Sequence, residues 1–341
     1  MYRAALVIGL GGTGVLTLRH LKAQLLASKE RRVPPQVRLI ALDTVKEEKQ
    51  SDQTSGDVQI AALRTELDPG EYFWIGGDVY DLVREVDRGE HSHIGSWFQA
   101  RSYLESLPRA SFSLERGAGQ LRQFGRLAVF HDVAAPAKSS IKSLIDRAIG
   151  EIISTGHRGS IDVFLVASVA GGTGAGMFVD LAYLVRQIAQ VEHGGLNINL
   201  RGFLVLPEAF SGIPGGVKPG MRARAFACMR ENKRFMVDFQ YEHGYPMYYH
   251  AAGQGGIWRN TISLKVFDFL YHVDGQSQKN PLTHVLPELG VPAAIADAVA
   301  AMLDRSQEGS EDVYARHASN VMAESGKKSE DVKTTDRKSV V

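Results

Sequence analysis

The chain has 341 residues, enough for about two domains or one large α/β domain. Hydrophobic residues make up 44% and charged residues 23%, which excludes collagen-like repeats and wholesale disorder. A net charge of +1 leaves no bulk basic field to hold nucleic acid or an anionic membrane. The single cysteine, Cys228, excludes an internal disulfide framework and a cysteine-rich metal site, and fits a reducing compartment such as the cytoplasm. No apolar run approaches the roughly 18 residues of a membrane span.

In chain order, ALVIGL (5–10) reads as a strand buried on both faces, residues 14–28 as a helix, and VRLIALD (37–43) as a second buried strand. Together they form a βαβ unit with a right-handed crossover. Residues 45–110 break this rhythm and read as an insertion. Its aromatics Tyr72, Phe73, Trp74, Trp97 and Phe98 are expected to pack against the main domain, with a partner-binding surface as the alternative. A glycine-rich turn at 117–125 leads into a helical run through about residue 154. IDVFLVASV (161–169) is the most hydrophobic strand, followed by AGGTGAG (170–176) and a helix over 177–191. Further elements are a strand at 199–207, a helix at 222–239, a strand at 264–274 and a helix at 291–305. About six strands with intervening helices predict a doubly wound, mostly parallel sheet, in a nucleotide-binding domain over residues 1–305. From Ser306 the composition turns polar, and residues 306–341 read as a solvated, mobile tail.

Glycine marks the function. There are 35 in the chain, more than the average of roughly 7% would give, and they cluster where strands run into helices. A helix N-terminus at the carboxyl end of a strand presents free N–H groups and a positive dipole end to an anion. The first loop, Gly9-Leu10-Gly11-Gly12-Thr13-Gly14, with Asp43 ending the next strand, fits the dinucleotide fingerprint. The second, Gly171-Gly172-Thr173-Gly174-Ala175-Gly176, is richer in glycine and has no following lysine, so it is not the phosphate loop of P-loop enzymes. Its four glycines read as a concave set of backbone donors, and a side chain at Gly174 is expected to fill the space of a phosphate. The third is Gly117-Ala118-Gly119-Gln120.

These four segments, GLGGTG (9–14), LDT (42–44), GAGQLRQFGRLA (117–128) and AGGTGAG (170–176), resemble in order and spacing the tubulin/FtsZ superfamily of GTPases. The insertion and RARAFACMRENKRFM (222–236) look closer to the bacterial tubulin-like proteins. The resemblance covers about residues 3–305 and implies a three-layer, Rossmann-like domain binding GTP or GDP. It implies that Gly11, Gly12 and Thr13 meet the α and β phosphates, that Ala118, Gly119 and Gln120 close on the γ-phosphate, and that Gly172, Thr173 and Gly174 hold the β end. Asp43 and Thr44 stand where the family orders water or Mg²⁺. Glu208 matches a ribose contact, Asp274 lies near the base, and Asp297 matches the residue that bonds the guanine N1/N2 edge. Self-assembly or a partner protein is implied as well.

Departures from the pattern weaken guanine selectivity and metal geometry more than phosphate binding. Val15 and Ala293 replace groups near the base, and Val45 replaces an acid in the metal loop. After Asp304 no N-x-D-x-x-D acidic loop follows, and no second activation domain is visible. Slow hydrolysis is therefore expected of this chain alone. The competing readings are an NAD(P)-dependent oxidoreductase built on the first loop and a non-hydrolysing, nucleotide-bound scaffold. His91 and His93 are read as exposed loop residues and not as metal ligands, and Cys228 as a small buried hydrophobe.

Overall fold

The computed structural model describes residues 2–28, 31–46, 65–134, 139–210, 220–237, 245–249, 259–262, 265–275 and 287–304. The order is β1 (Ala5–Leu10), α1 (Gly11–Ala27), β2 (Val37–Asp43), β3 (Tyr72–Trp74), α2 (Tyr80–Asp87), α3 (Ser92–Gly95), α4 (Ala100–Ser106), α5 (Arg122–Val133), α6 (Ser140–Ser154), β4 (Ile161–Ser168), α7 (Thr173–Glu192), β5 (Ile198–Val205), α8 (Met221–Val237), β6 (Tyr245–Tyr248), β7 (Arg259–Ile262), β8 (Phe269–Val273) and α9 (Pro287–Leu303). The tail beyond Asp304 and the charged start of the insertion, residues 47–64, lie outside the described residues.

The main sheet has six strands in the order β3-β2-β1-β4-β5-β8, every neighbouring pair parallel. β6 and β7 form a separate antiparallel ribbon. Strand residues alternate between the two faces. Ala5, Val7, Phe164 and Val166 pack with Leu18, Leu21 and Leu25 of α1 and Val291, Ile295 and Val299 of α9. Leu6, Ile8, Val163 and Leu165 pack with α5, α6 and α7 on the opposite face. Continuous apolar runs such as ALVIGL are therefore continuous because both neighbours of the sheet are helices.

Three differences from the sequence reading have physical causes. The run expected through residue 154 is two helices. Pro136 stands in the sequence between them, and a new N-terminus forms at Ser139, whose Oγ accepts from the Lys142 N–H at 3.1 Å. The Asp132 carboxylate accepts from the Ser140 and Ile141 N–H groups at the same end. The strand expected over 264–274 is only Phe269–Val273. Val266 and Phe267 ahead of it fill the core at 0% exposure, and Asp268 turns the chain by accepting from the Leu200 N–H at 2.7 Å. The insertion contributes a strand of its own, with Tyr72, Phe73 and Trp74 paired to Ala41, Leu42 and Asp43 at the sheet edge. Its other aromatics pack as expected. Phe98 is buried, and Trp97 lies 5.0 Å from the Phe130 ring with the Arg126 guanidinium 4.4 Å over it.

Arg126 in turn forms a two-pronged pair with Asp180 of α7 at 3.0 and 3.2 Å, and the Tyr249 hydroxyl donates to the same carboxylate at 3.0 Å. Burial, with Asp180 adding to it, pushes the Tyr249 phenol well above its usual range. A second buried pair joins Arg201 of β5 to Asp162 of β4 at 2.9 Å, with side chains 4% and 7% exposed. Replacing Asp162 with alanine removes the carboxylate of this buried pair, and we expect a loss of about 3–5 kcal/mol in urea unfolding. A loss under about 1 kcal/mol would show that water already reaches the pair.

Candidate functional site

Strand order reverses between β1 and β4. α1 leaves β1 on one face and α7 leaves β4 on the other. At such a switch point two helix N-termini stand side by side at the carboxyl edge of the sheet. Leu10 and Gly172, the residues that begin α1 and α7, provide no side-chain cap, and neither does Leu121 ahead of α5. α6, on the same face but starting elsewhere, is capped by Ser139. α1, α5 and α7, reached through the three glycine loops, are uncapped, as are the short helices α2, α3 and α4, so first-turn N–H groups at the loops remain available to an anion.

The loops touch one another. A side-chain carbon on Gly11 would lie 3.3 Å from the Gly174 nitrogen and from the Thr173 Cβ. One on Gly172 would lie 2.9 Å from the Ala118 Cβ and 3.0 Å from the Gln120 nitrogen. One on Gly117 would lie 3.3 Å from the Val45 side chain. The Thr44 and Thr173 hydroxyls hydrogen-bond each other at 2.6 Å, both buried. The sequence brought out these two threonines separately and gave no sign of their pairing. Trp74 of the insertion holds the same place from behind, its indole N–H shared between the Thr44 and Leu114 carbonyls at 3.2 and 3.3 Å.

Not every glycine serves an anion. Gly9 and Gly14 lie against each other's backbone, and a side chain on Gly14 would also meet the Val166 carbonyl at 2.8 Å. They let α1 pack onto β1 and β4. Gly176 packs against the Arg122 carbonyl and the backbone of Gly125, where α5 crosses α7, with Ala175 buried beside it. At Gly174 a side chain would run into the Leu10 carbonyl at 2.9 Å and the Ala167 Cβ at 3.1 Å. The expectation that it would fill a phosphate's space is corrected accordingly: its space belongs to the neighbouring turn. Gly12, Gly119 and Gly171 have nothing within 4 Å and face open space. Thr13 sits with Gly12 in the first turn of α1, and its carbonyl accepts from the Thr17 hydroxyl at 2.9 Å.

In the third loop Gly117 and Gly119 have φ of +94° and +57°, and Gln120 has φ of +64°. A non-glycine residue in that region needs support from its surroundings. Arg224 of α8 supplies it, donating to the Gln120 side-chain oxygen at 3.0 Å, while Arg122 pairs with Glu231 of the same helix. α8 thus clamps the third loop through RARAFACMREN, a role hidden in sequence because the partners are a hundred residues apart. Cys228 of that helix is buried, and burial pushes its thiol up to about 11.

The remaining candidates divide. Glu208 follows β5 on the short turn Pro207–Phe210 and pairs with Arg222 at 3.4 Å. Asp274 follows β8 and accepts from the Gly275 N–H at 2.6 Å, and Gly275 packs against Ala209. These two carboxylates therefore share one edge, two and three strands along from β1, or roughly 10 and 15 Å at normal strand spacing. Asp43 is turned inward, accepting from the N–H groups of Thr44 and Val45 at 2.7 and 3.3 Å. Asp297 is not brought to the loops. It accepts from the Gln24 amide, thirteen residues beyond Gly11 and so roughly 20 Å down α1. No group of three or more His, Cys, Asp or Glu among the described residues could hold a metal ion. His91 is half-buried against Glu85 at 2.9 Å, and His93 packs near Phe130, so neither is the open loop residue expected.

A family model described as "Tubulin like" matches residues 6–338. Solved structures to which the chain is similar include CetZ of Methanosaeta thermophila, 14% identical over 88% of this chain and 53% of that one, with a TM-score of 0.42. CetZ2 of Haloferax volcanii, in a GTPγS-bound protofilament, is 16% identical over 87% and 57%, with a TM-score of 0.45. TubZ of Bacillus thuringiensis serovar israelensis, as a GTPγS-form protofilament, is 11% identical over 89% and 56%, with a TM-score of 0.40. The chain spans little more than half the length of these solved proteins. No curated protein matches it.

Two outcomes follow from the geometry. Gly174→Val should cost about 1–3 kcal/mol of stability by overpacking, whereas Gly12→Val should stay within about 0.5 kcal/mol. Denaturant unfolding of the two purified variants reads the contrast directly, and equal losses would contradict the assignment of packing and open glycines. The second outcome concerns His20, buried on α1 near Asp297. Burial is the largest influence on it and holds its imidazole below the ordinary 6.5, although Asp297 opposes the shift. The fold prefers neutral His20, so its contribution is complete above about pH 6.5 and is lost as pH falls through that value toward the lower folded one. The melting temperature of His20→Gln should accordingly fall less on acidification than that of the parent chain, and parallel curves would exclude the effect.

Proposed function

Because this chain belongs to the tubulin-like family, we propose that it is a guanine-nucleotide-binding protein whose phosphate site is the junction of loops 9–14, 117–120 and 170–176. The observation that carries the proposal is the set of uncapped helix N-termini meeting at the switch point between β1 and β4. Gly12, Gly119 and Gly171 leave room there, and the N–H groups around them are fixed in place before any ligand arrives. Gly11, Gly12 and Thr13 would hold the α and β phosphates, Gly171, Gly172 and Thr173 the β end, and Ala118, Gly119 and Gln120 the γ end. Glu208 and Asp274 stand at the distance from the loops at which a nucleotide's sugar and base would lie. The Thr44–Thr173 bond would orient the Thr173 hydroxyl toward the phosphates. A bound GTP supplies the phosphoanhydride and its charge.

The oxidoreductase reading needs the Asp43 carboxylate free for a ribose, but that carboxylate is engaged by its own loop. With Asp297 far down α1, the base pocket lacks the acid that guanine recognition would use, so discrimination against adenine should be modest. Family membership supports nucleotide-dependent assembly with further copies as part of the same proposal.

Calorimetric titration should give a dissociation constant for GTP or GDP in the micromolar range or tighter, about −8 kcal/mol or better, and no heat with NADH. The reverse pattern would reject the proposal. Hydrolysis also needs a water held in line with the γ-phosphate, and residues 305–341 carry no N-x-D-x-x-D motif. Phosphate release should therefore be slow and proportional to protein concentration. A cooperative rise with concentration, with filaments in micrographs, would show that another part of the chain supplies the acid.

A further inference from the structure

Beside the 117–120 loop lies a cavity of about 620 Å³, and none of residues 9–14 or 170–176 lines it. Ala118 turns its side chain and carbonyl toward Gly172, and the cavity is bounded by residues 107–124, from the end of the insertion to the start of α5, and not by α1 or α7. The local sequence explains why it is unfilled. Between Ser111 and Glu115 the side chains alternate. Phe112 and Leu114 go into the core at 1% exposure each, and Ser111, Ser113 and Glu115 line the cavity. Ala110, Gly117 and Gly119 are equally small. Protein interiors leave few voids larger than a water molecule, whereas a concavity of this size lies within the roughly 300–1,000 Å³ of ligand pockets.

The chemistry of the walls is two-sided. Half-buried Leu107 and Leu121 make an apolar part, with Phe124 buried behind them. Opposite them stand the Ser111 and Ser113 hydroxyls and the Arg116 side chain. Glu115 is balanced by Lys46 at 3.5 Å, while Arg116, exposed, has no ion-pair partner among the described residues. Among the described residues, one positive charge is left over at the rim of an apolar slot.

We propose that this cavity is a second ligand site, taking a singly charged amphipathic anion. Its ring or alkyl body rests on Leu107 and Leu121, and its carboxylate or sulfonate head meets Arg116 and the two serine hydroxyls. Gly117 and Gly119 belong to the loop assigned above to the γ-phosphate, so an occupant braces that loop from its outer side. The site itself stands without the nucleotide reading.

The test uses the full chain without nucleotide and 8-anilinonaphthalene-1-sulfonate as the probe, followed by fluorescence. One saturating site per chain is expected. The neutral N-phenyl-1-naphthylamine, which has the same body without the sulfonate, should bind at least about tenfold more weakly, the equivalent of one charge-assisted hydrogen bond. Arg116→Ala should weaken the sulfonate by a similar factor, and Ser111→Phe, which fills the slot, should abolish its binding. Cooperative unfolding of both variants confirms that they are folded, and because Arg116 is exposed, its variant keeps the test valid if Ser111→Phe fails to fold. Unsaturable fluorescence, equal binding of the neutral probe, or binding unchanged in Arg116→Ala overturns the proposal.

Discussion

The structure depends on a close approach of backbone to backbone at the carboxyl edge of the sheet, where the turn from β1 into α1 lies against the turn from β4 into α7. Gly14 rests on the Gly9 backbone and the Val166 carbonyl, and Gly174 rests on the Leu10 carbonyl. Any side chain at these places pushes the first turn of α1 or α7 away from the strand ends and the turn it rests on. With both turns tight, the N-termini of α1 and α7 come within reach of a single ligand. The same demand recurs one layer out, where Gly125 and Gly176 let α5 cross α7 and so carry the 117–120 loop over the second turn. Glycine is thus needed twice over, once to bring donors together and once to leave space in front of them, and different residues meet the two needs.

Donors brought together must also be kept from collapsing onto each other. Leaving helix ends uncapped forgoes about 1 kcal/mol each in typical capping substitutions, a contribution that Ser139 does supply at α6. The open ends are braced by tertiary contacts instead. Thr44 fixes Thr173, Trp74 fixes the Thr44 carbonyl, and Arg224 fixes the strained Gln120. Each brace comes from a different element, namely β2, the insertion and α8. The insertion is therefore part of the site's support, since its edge strand β3 delivers Trp74 to the back of the loops.

The sheet and its helices were legible in the sequence because strands buried on both faces read as unbroken apolar runs and because glycine loops mark their carboxyl ends. The glycine-rich turns at 9–14, 117–120 and 170–176, each leading into a helix, were legible for the same reason. What was not legible depends on partners distant in sequence. Four glycines in AGGTGAG suggested four donors to a ligand, but only the contacts of Gly172, Gly174 and Gly176 reveal that they pack against other loops and helices. β3 is three residues long and half-buried, too short for any periodicity. Asp43 ends a strand as a ribose-binding acid would, yet its carboxylate closes a turn with the next two N–H groups. Asp297 has the right residue type in the right helix, but only the packing of α9 along α1 fixes how far down it lies.

The 117–120 loop has two sides, and they differ in a way that follows from its neighbours. Toward α7 it is pressed against Gly172, with the Ala118 side chain filling the contact. Away from α7 it faces the serines of the insertion across open volume. Gly117 and Gly119 take positive φ freely, but Gln120 at +64° stores strain that its surroundings must hold. Here the holding is unequal, firm on the inner side through Arg224 and Gly172 and slack on the outer side. On the readings proposed above, an occupant of the outer volume would stiffen the loop that the inner site uses, and a ligand on the inner N–H groups would narrow the freedom of the outer wall. Reciprocity of binding free energies then requires the two sides to influence each other equally, whichever is filled first.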